Sequence, residues 1–157
     1  MKGTYRVGFN FGLTSGIITT LGLMVGLYSS TNSTIIVIGG ILTIAIADAL
    51  SDSVAIHVAV ESQIKYTIRE VWEATIATFF YKFIFAIIFI PSFLVLPLEK
   101  AVLISILIGL DIIFINSLIL ARMRDVSAKK IITEHLLLTI LVIAASYFIG
   151  VAVSTFL

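Results

Sequence analysis

A chain of 157 residues with 60% hydrophobic residues, 12% charged residues and a mean hydropathy of +1.19 lies far outside the composition of soluble globular domains. The net charge of +1, with basic residues scattered in ones and twos, argues against a nucleic-acid surface, and the lack of cysteine excludes disulfides and cysteine-ligated metal centres. Since a spanning helix needs about 20 apolar residues, the chain predicts a single all-α membrane domain over residues 1–157 with five transmembrane helices.

Five apolar segments are separated by short polar loops, and each segment is predicted to be a transmembrane helix. They cover residues 7–28, 34–60, 74–96, 101–121 and 132–156. The first is longer than the core of a signal peptide and is interpreted as a retained helix. Pro97 is expected to end the third helix, and Pro91 to kink it near the same end.

The distribution of Lys and Arg predicts the orientation of these helices. In a five-span arrangement one side carries eight basic residues: Lys2, Arg6, Lys65, Arg69, Arg122, Arg124, Lys129 and Lys130. Only Lys100 falls on the other side, and Lys82 lies inside the third span. The positive-inside rule therefore predicts a cytosolic N-terminus and an external C-terminus in a multi-pass integral membrane protein, in the cell membrane if the source is prokaryotic.

Two aspartates in the second span form the strongest candidate site, because an ionisable group in the hydrocarbon region is costly and usually functional. Asp48 and Asp52 are four residues apart and so share one face of the helix. Two stacked carboxylates inside a membrane span indicate a site for a cation or a proton. In the alternative interpretation, hydroxyl or amide groups of a neighbouring helix cap both carboxylates, which then only fix helix packing.

Other polar residues within or near the spans are weaker candidates. Lys82 and Asp111 lie at similar depth on helices joined by a short turn and are predicted to form a structural ion pair. His57 and His135 lie near helix ends, where an interfacial role is the simpler interpretation. The loop acids Glu61, Glu70 and Glu73 form either a solvated, salt-bridged surface or an entry site for a metal ion.

The first span combines small residues with hydroxyl groups. Gly8, Gly12 and Gly16 recur every four residues, a spacing that lets helices approach closely. The same helix carries Asn10 and several Ser and Thr residues, including Ser15 and Thr19. If it packs beside the acidic face of the second helix, these groups complete a polar path; otherwise they only pack helices.

The order of these features resembles the vacuolar iron transporter family of iron and manganese transporters. Gly12-Leu-Thr-Ser-Gly16, followed by Gly22 to Gly26, resembles the family's first-helix signature G-L-S-D-G-L. The segment from Ala47-Asp-Ala-Leu-Ser-Asp-Ser53 to Glu61-Ser-Gln63 resembles its second-helix A-G-A-I-S-M-G followed by K-S-E. Ala121-Arg-Met-Arg124 and Ser146-Tyr-Phe-Ile-Gly150 resemble the end of its fourth helix and its final T-Y-x-I-G.

The chain also departs from that pattern at the positions that bind metal in the family. The family's first-helix aspartate falls on Ser15, its second-helix glutamate on Ile44 and its second-helix methionine on Asp52, while Asp48 replaces a glycine. The family's cytosolic metal-binding extension is reduced here to a loop of about a dozen residues. Carboxylates suit Mn²⁺, Fe²⁺, Mg²⁺ or Ca²⁺, so the substrate expected from the residues is a divalent cation rather than iron specifically.

The resemblance implies a homodimer that transports a divalent metal of the Fe²⁺/Mn²⁺ class in exchange for protons, along a path between the first two helices of each subunit. Asp48 and Asp52 are the expected ligands and proton carriers, with Ser15, Thr19 and Asn10 as neutral oxygen ligands. Four carboxylates near one axis cannot all stay ionised, so an arriving metal displaces protons. No resident cofactor is expected.

Two other classes of function stay open. A non-transporting membrane adaptor or degenerate relative fits the missing family ligands. An intramembrane enzyme fits less well, because the sequence has no His-Glu-x-x-His motif and offers only Gly109-Leu-Asp111 toward an aspartyl-protease element. The prediction is therefore a transporter and not an enzyme, whose partners are lipid, a second copy, divalent metal ions and protons.

The orientation is testable with a C-terminal reporter that is active only in the cytosol. With five spans and a cytosolic N-terminus, such a fusion is expected to be silent, whereas the same reporter at the N-terminus is expected to be active. An active C-terminal fusion contradicts the five-span topology.

Overall fold

The computed structural model describes residues Gly3–Phe156, which are almost entirely helical and contain no strand. The helices are α1 Gly3–Thr31, α2 Thr34–Glu61, α3 Ile68–Ile87, α4 Ile90–Val95, α5 Leu98–Arg124 and α6 Ala128–Phe156. Because α3 and α4 together form one apolar segment, Ile68–Val95, five segments are long and apolar enough to cross a membrane. This confirms the predicted all-α fold and the five segments able to span a membrane, whereas the orientation of the termini stays a prediction. Lys2, one of the basic residues used to predict that orientation, lies outside the described residues.

The third segment begins at Ile68 rather than at residue 74, because a capping box starts the helix earlier. Thr67 is the N-cap, and its side-chain oxygen accepts a hydrogen bond from the Glu70 backbone N–H at 3.3 Å. In return, the Glu70 carboxylate accepts from the Thr67 backbone N–H at 2.9 Å. This reciprocal cap satisfies two of the backbone donors that a helix start leaves unpaired.

Both prolines mark interruptions, as the sequence predicts. Helix α3 ends at Ile87, and the short helix α4 begins at Ile90 with Pro91 in its first turn. A proline lacks the N–H that continues a helix and its ring collides with the carbonyl four residues earlier, so the break precedes Pro91. Pro97 follows α4 and is the N-cap of α5.

The contacts of the chain group it into two compact units. The first contains residues 3–17 and 41–88, and the second contains residues 18–40 and 89–156. The sequence predicts a single domain over residues 1–157, and this stays a prediction.

In the first unit, the N-terminal half of α1 packs closely on α3 through its glycines. A Cβ added to Gly12 would lie 2.7 Å from the carbonyl oxygen of Thr78, and one added to Gly16 would lie 2.9 Å from that of Lys82. Any side chain larger than hydrogen would therefore push the two helices apart. The predicted glycine stripe brings helices together, and the helix that it contacts is α3.

Within the same unit, an apolar cluster packs α2 against α3 near the loop that connects them. Ile56 and Val60 of α2 pack with Val71 and Ala74 of α3, and Tyr66 from the connecting loop covers them. This cluster fixes the two helices against each other next to the short loop that joins them, and it thereby sets the register of α2 relative to α3.

In the second unit, small residues and hydroxyl groups again hold helices together. Gly150 of α6 lies against Ser29 of α1, whose hydroxyl donates to the carbonyl of Tyr147 at 3.2 Å. Helix α5 ends at Arg124, its C-cap Asp125 adopts a left-handed conformation with φ of 51°, and α6 begins at Ala128. The short connection makes α5 and α6 neighbours.

Candidate functional site

Asp48 and Asp52 lie one turn apart on α2, within the first unit, and both are partly buried. Their side chains are 33% and 21% exposed, respectively. The four-residue spacing places the two carboxylates one above the other on the same face of the helix, as the sequence predicts.

Both carboxylates contact the same cation, the ammonium of Lys82 on α3. Lys82 Nζ lies 2.6 Å from Asp48 Oδ2 and also contacts Asp52 Oδ2. The side chain of Lys82 is only 1% exposed, so its charge is removed from solvent. A buried ammonium is stable only with ion pairs and hydrogen bonds around it, and the two aspartates supply the ion pairs.

A hydroxyl group from α1 completes the arrangement. Lys82 Nζ donates a hydrogen bond to Ser15 Oγ at 2.9 Å, and Ser15 Oγ donates its own proton to Asp52 Oδ2 at 2.7 Å. Three helices thus contribute to one group of side chains, hereafter the polar cluster, which consists of Ser15, Asp48, Asp52 and Lys82. Its formal charge is −1 when all three ionisable groups are charged.

The glycine packing of α1 explains how Ser15 reaches this position. A Cβ on Gly16 would lie 3.2 Å from the Cα of Lys82, so at this level the two backbones approach as closely as their atoms allow. Ser15, the preceding residue, is thereby brought beside the lysine side chain and the acidic face of α2.

The predicted ion pair of Lys82 with Asp111 is wrong in its partner. Lys82 pairs with the two aspartates of α2, and Asp111 occupies an exposed position on α5. The physical reason is that carboxylates one helical turn apart can bind one ammonium from two sides, which offsets the cost of burying the charge better than one carboxylate does. Similar predicted depth on two helices joined by a short turn is not sufficient to identify the partner of Lys82.

Of the five residues predicted to bind metal, the structure brings together Asp48, Asp52 and Ser15. Asn10 is not part of the cluster, because its side-chain amide donates to the carbonyl of Arg6 on its own helix at 2.8 Å. Thr19 lies in the second unit and is half-buried. The one member of the cluster that the sequence did not assign to it is Lys82.

The three loop acids are not assembled into one site. Glu70 caps α3, and Glu73 forms an ion pair with Arg69 at 3.1 Å. Glu61 lies 4.0 Å from the Nε2 atom of His57. Within residues 3–156 there is no group of three or more His, Cys, Asp or Glu side chains arranged to hold a metal ion.

The two histidines make local hydrogen bonds near helix ends. His57 Nδ1 lies 2.9 Å from Thr75 Oγ1, and the imidazole packs edge-on against the ring of Trp72. Since the Thr75 hydroxyl donates to the carbonyl of Val71, His57 Nδ1 is the donor to Thr75. In the second unit His135 Nδ1 contacts Ser117 Oγ at 2.8 Å in the same way. These contacts fit an anchoring role for both residues.

Comparisons with models of known protein families, with curated proteins and with solved structures found no significant match to this chain. The resemblance to the vacuolar iron transporter family therefore stays a prediction from the sequence.

The shared ion pair predicts strongly non-additive effects on stability. Asp48→Asn and Asp52→Asn are each expected to be tolerated, because the remaining carboxylate still neutralises Lys82. The double variant leaves a buried ammonium without a counter-charge and is expected to lose roughly 3–5 kcal/mol of unfolding free energy. Thermal unfolding in detergent measures the difference, and Asp111→Asn is the matched control with no expected effect. Additive losses in the double variant contradict the shared pair.

Proposed function

We propose that this chain transports divalent metal cations of the Fe²⁺/Mn²⁺ class across a membrane in exchange for protons, with the polar cluster as its cation site. The observation that carries the proposal is the convergence of Asp48, Asp52 and Ser15 on a single cation position within membrane-spanning helices. Carboxylate and hydroxyl oxygens are the ligands that hard divalent cations prefer.

A second copy of the chain is part of the proposal, because one chain offers too few ligands and leaves both carboxylates partly exposed. In a bilayer, a charged group at this depth must face protein or water. Beside the two aspartates, α2 presents an exposed row of small residues: Thr43, Ala47, Ser51, Ala55 and Ala59. Small residues at this spacing favour close helix packing, so a homodimer in which the two α2 helices meet would bring four carboxylates together and cover them.

Proton exchange follows from the charge of such a site. Four carboxylates and two ammonium groups in a low-dielectric environment carry an excess of negative charge that protons partly neutralise when no metal is bound. An arriving divalent cation replaces that positive charge, and protons leave. The N-terminus would lie in the cytosol, and transport would proceed by alternating exposure of the site to the two sides.

The same cluster also supports a second candidate, a non-transporting membrane adaptor in which the salt bridge only fixes helix packing. The specific observation in its favour is that Lys82 neutralises part of the acidic charge within the chain. A transporter and an adaptor differ in whether the carboxylates are needed for ion flux once the fold is intact.

An enzyme with a serine–lysine pair is less well supported, although Ser15 and Lys82 are within hydrogen-bond distance. In such a pair the lysine accepts the serine proton to activate the hydroxyl as a nucleophile. Here the hydrogen bonds run in the opposite direction, because Lys82 donates to Ser15 and the serine proton is directed to Asp52.

Flux of Mn²⁺ into liposomes tests transport directly. The wild-type protein is expected to carry Mn²⁺, and Asp48→Asn or Asp52→Asn to abolish flux while the purified protein stays folded, because asparagine keeps size and hydrogen bonding but removes the charge. His57→Gln, on a different face of α2, is the control and is expected to reduce flux far less. Wild-type flux in both asparagine variants would favour the adaptor.

Cysteine crosslinking tests the homodimer, since the native sequence contains no cysteine. Ser51→Cys, in the small-residue row of α2, is expected to form a disulfide-linked dimer when membranes are treated with an oxidant. Leu107→Cys, at an exposed position on α5, is the control and should stay monomeric. Crosslinking that is equal at both positions, or absent at position 51, would contradict an interface through α2.

A further inference from the structure

We infer that Lys82 is a tethered cation that occupies the transport site and competes with the transported ion for its ligands. The inference rests on the proposed cation site and adds a residue that sets how tightly that site binds. It assigns a function to the one member of the polar cluster that cannot itself be a ligand for a metal in its charged form.

The geometry of the ammonium supports this competition. Lys82 Nζ contacts the Oδ2 atom of Asp48 and the Oδ2 atom of Asp52, so one oxygen of each carboxylate is directed at the same position. Its third contact is the Ser15 hydroxyl oxygen. These three oxygens are the set that a hard cation would use, and the ammonium occupies the space between them.

A metal ion and the ammonium cannot bind these three oxygens at the same time. A divalent cation binds oxygen at about 2.0–2.6 Å, close to the distance at which the ammonium now sits, so both would occupy nearly the same position. Two cations that lie so close to each other repel strongly in a medium of low dielectric constant. Binding of the metal therefore requires Lys82 Nζ to leave the carboxylates.

The side chain of lysine is suited to such a displacement. Its compact charge is carried on a flexible stem of four carbons, so Nζ can move while the backbone stays in place. The backbone of Lys82 is held against Gly16 of α1, which fixes the start of the stem. The ammonium can thus move while the backbone of Lys82 stays in place. By competing for the oxygens it lowers the affinity of the site for the metal ion, which the site must also release.

The test is binding of Mn²⁺ to the chain in detergent. Electron paramagnetic resonance measures this binding, because the signal of free Mn²⁺ decreases as the ion binds. Lys82→Met removes the competing charge and keeps an unbranched side chain. We expect its affinity for Mn²⁺ to exceed that of the wild type by about tenfold or more. Lys65→Met removes the same charge from the exposed loop between α2 and α3 and is expected to leave the affinity unchanged.

A second variant covers the case in which Lys82→Met does not fold without metal. Lys82→Gln is also neutral, and its amide can still donate to the carboxylates. Its melting temperature is expected to rise more on addition of Mn²⁺ than that of the wild type, because binding to the folded state stabilises it. Asp52→Asn added to either lysine variant should remove the gain.

The outcomes separate this inference from the proposed function. Wild-type affinity or weaker binding in both lysine variants overturns the inference, even if the wild-type protein transports Mn²⁺ in liposomes. Tighter binding in the lysine variants, lost again with Asp52→Asn, supports the inference even if the wild-type protein shows no flux, in which case the proposed transport fails by itself.

Discussion

The charge of one buried ammonium is the constraint on which the first unit depends. Lys82 is almost fully buried in an apolar helix, and its charge can stay there only if counter-charges and acceptors surround it. These partners come from two other helices: Asp48 and Asp52 from α2, and Ser15 from α1. Satisfying this single group therefore fixes the rotation of both helices relative to α3, a choice that nonspecific apolar packing leaves open.

Close backbone packing makes that arrangement possible. The glycines of α1 let its backbone contact α3, and only at this distance does the short side chain of Ser15 reach the ammonium and the carboxylate of Asp52. Within a bilayer, helix association relies on such packing and on interhelical hydrogen bonds, because lipid is as apolar as the helix surfaces. The glycine face and the polar cluster are thus two parts of one packing solution.

The same contacts that stabilise the helices define a position for a cation, so structure and proposed function use the same side chains. A site in which carboxylates already bind a cation from the chain does not need an external ion to fold. It can bind one only by giving up internal ion pairs, which weakens binding but couples it to the contacts that hold α1 and α2 to α3. Transport by alternating exposure requires such a coupling between ion binding and helix arrangement.

The sequence by itself determined the all-helical class, the five apolar segments, the interruptions near Pro91 and Pro97, and the shared face of Asp48 and Asp52, because hydropathy, proline chemistry and helical periodicity are local properties. The capping box at Thr67 and Glu70 is also a local property, but the hydropathy pattern does not reveal it, so the pattern predicts a start of the third segment at residue 74 rather than at Ile68. Only the tertiary structure decided the partner of Lys82. These helices are apolar on nearly all faces, so no amphipathic pattern shows which side of one helix meets which neighbour, and that choice depends on three-dimensional packing of glycines and buried charges.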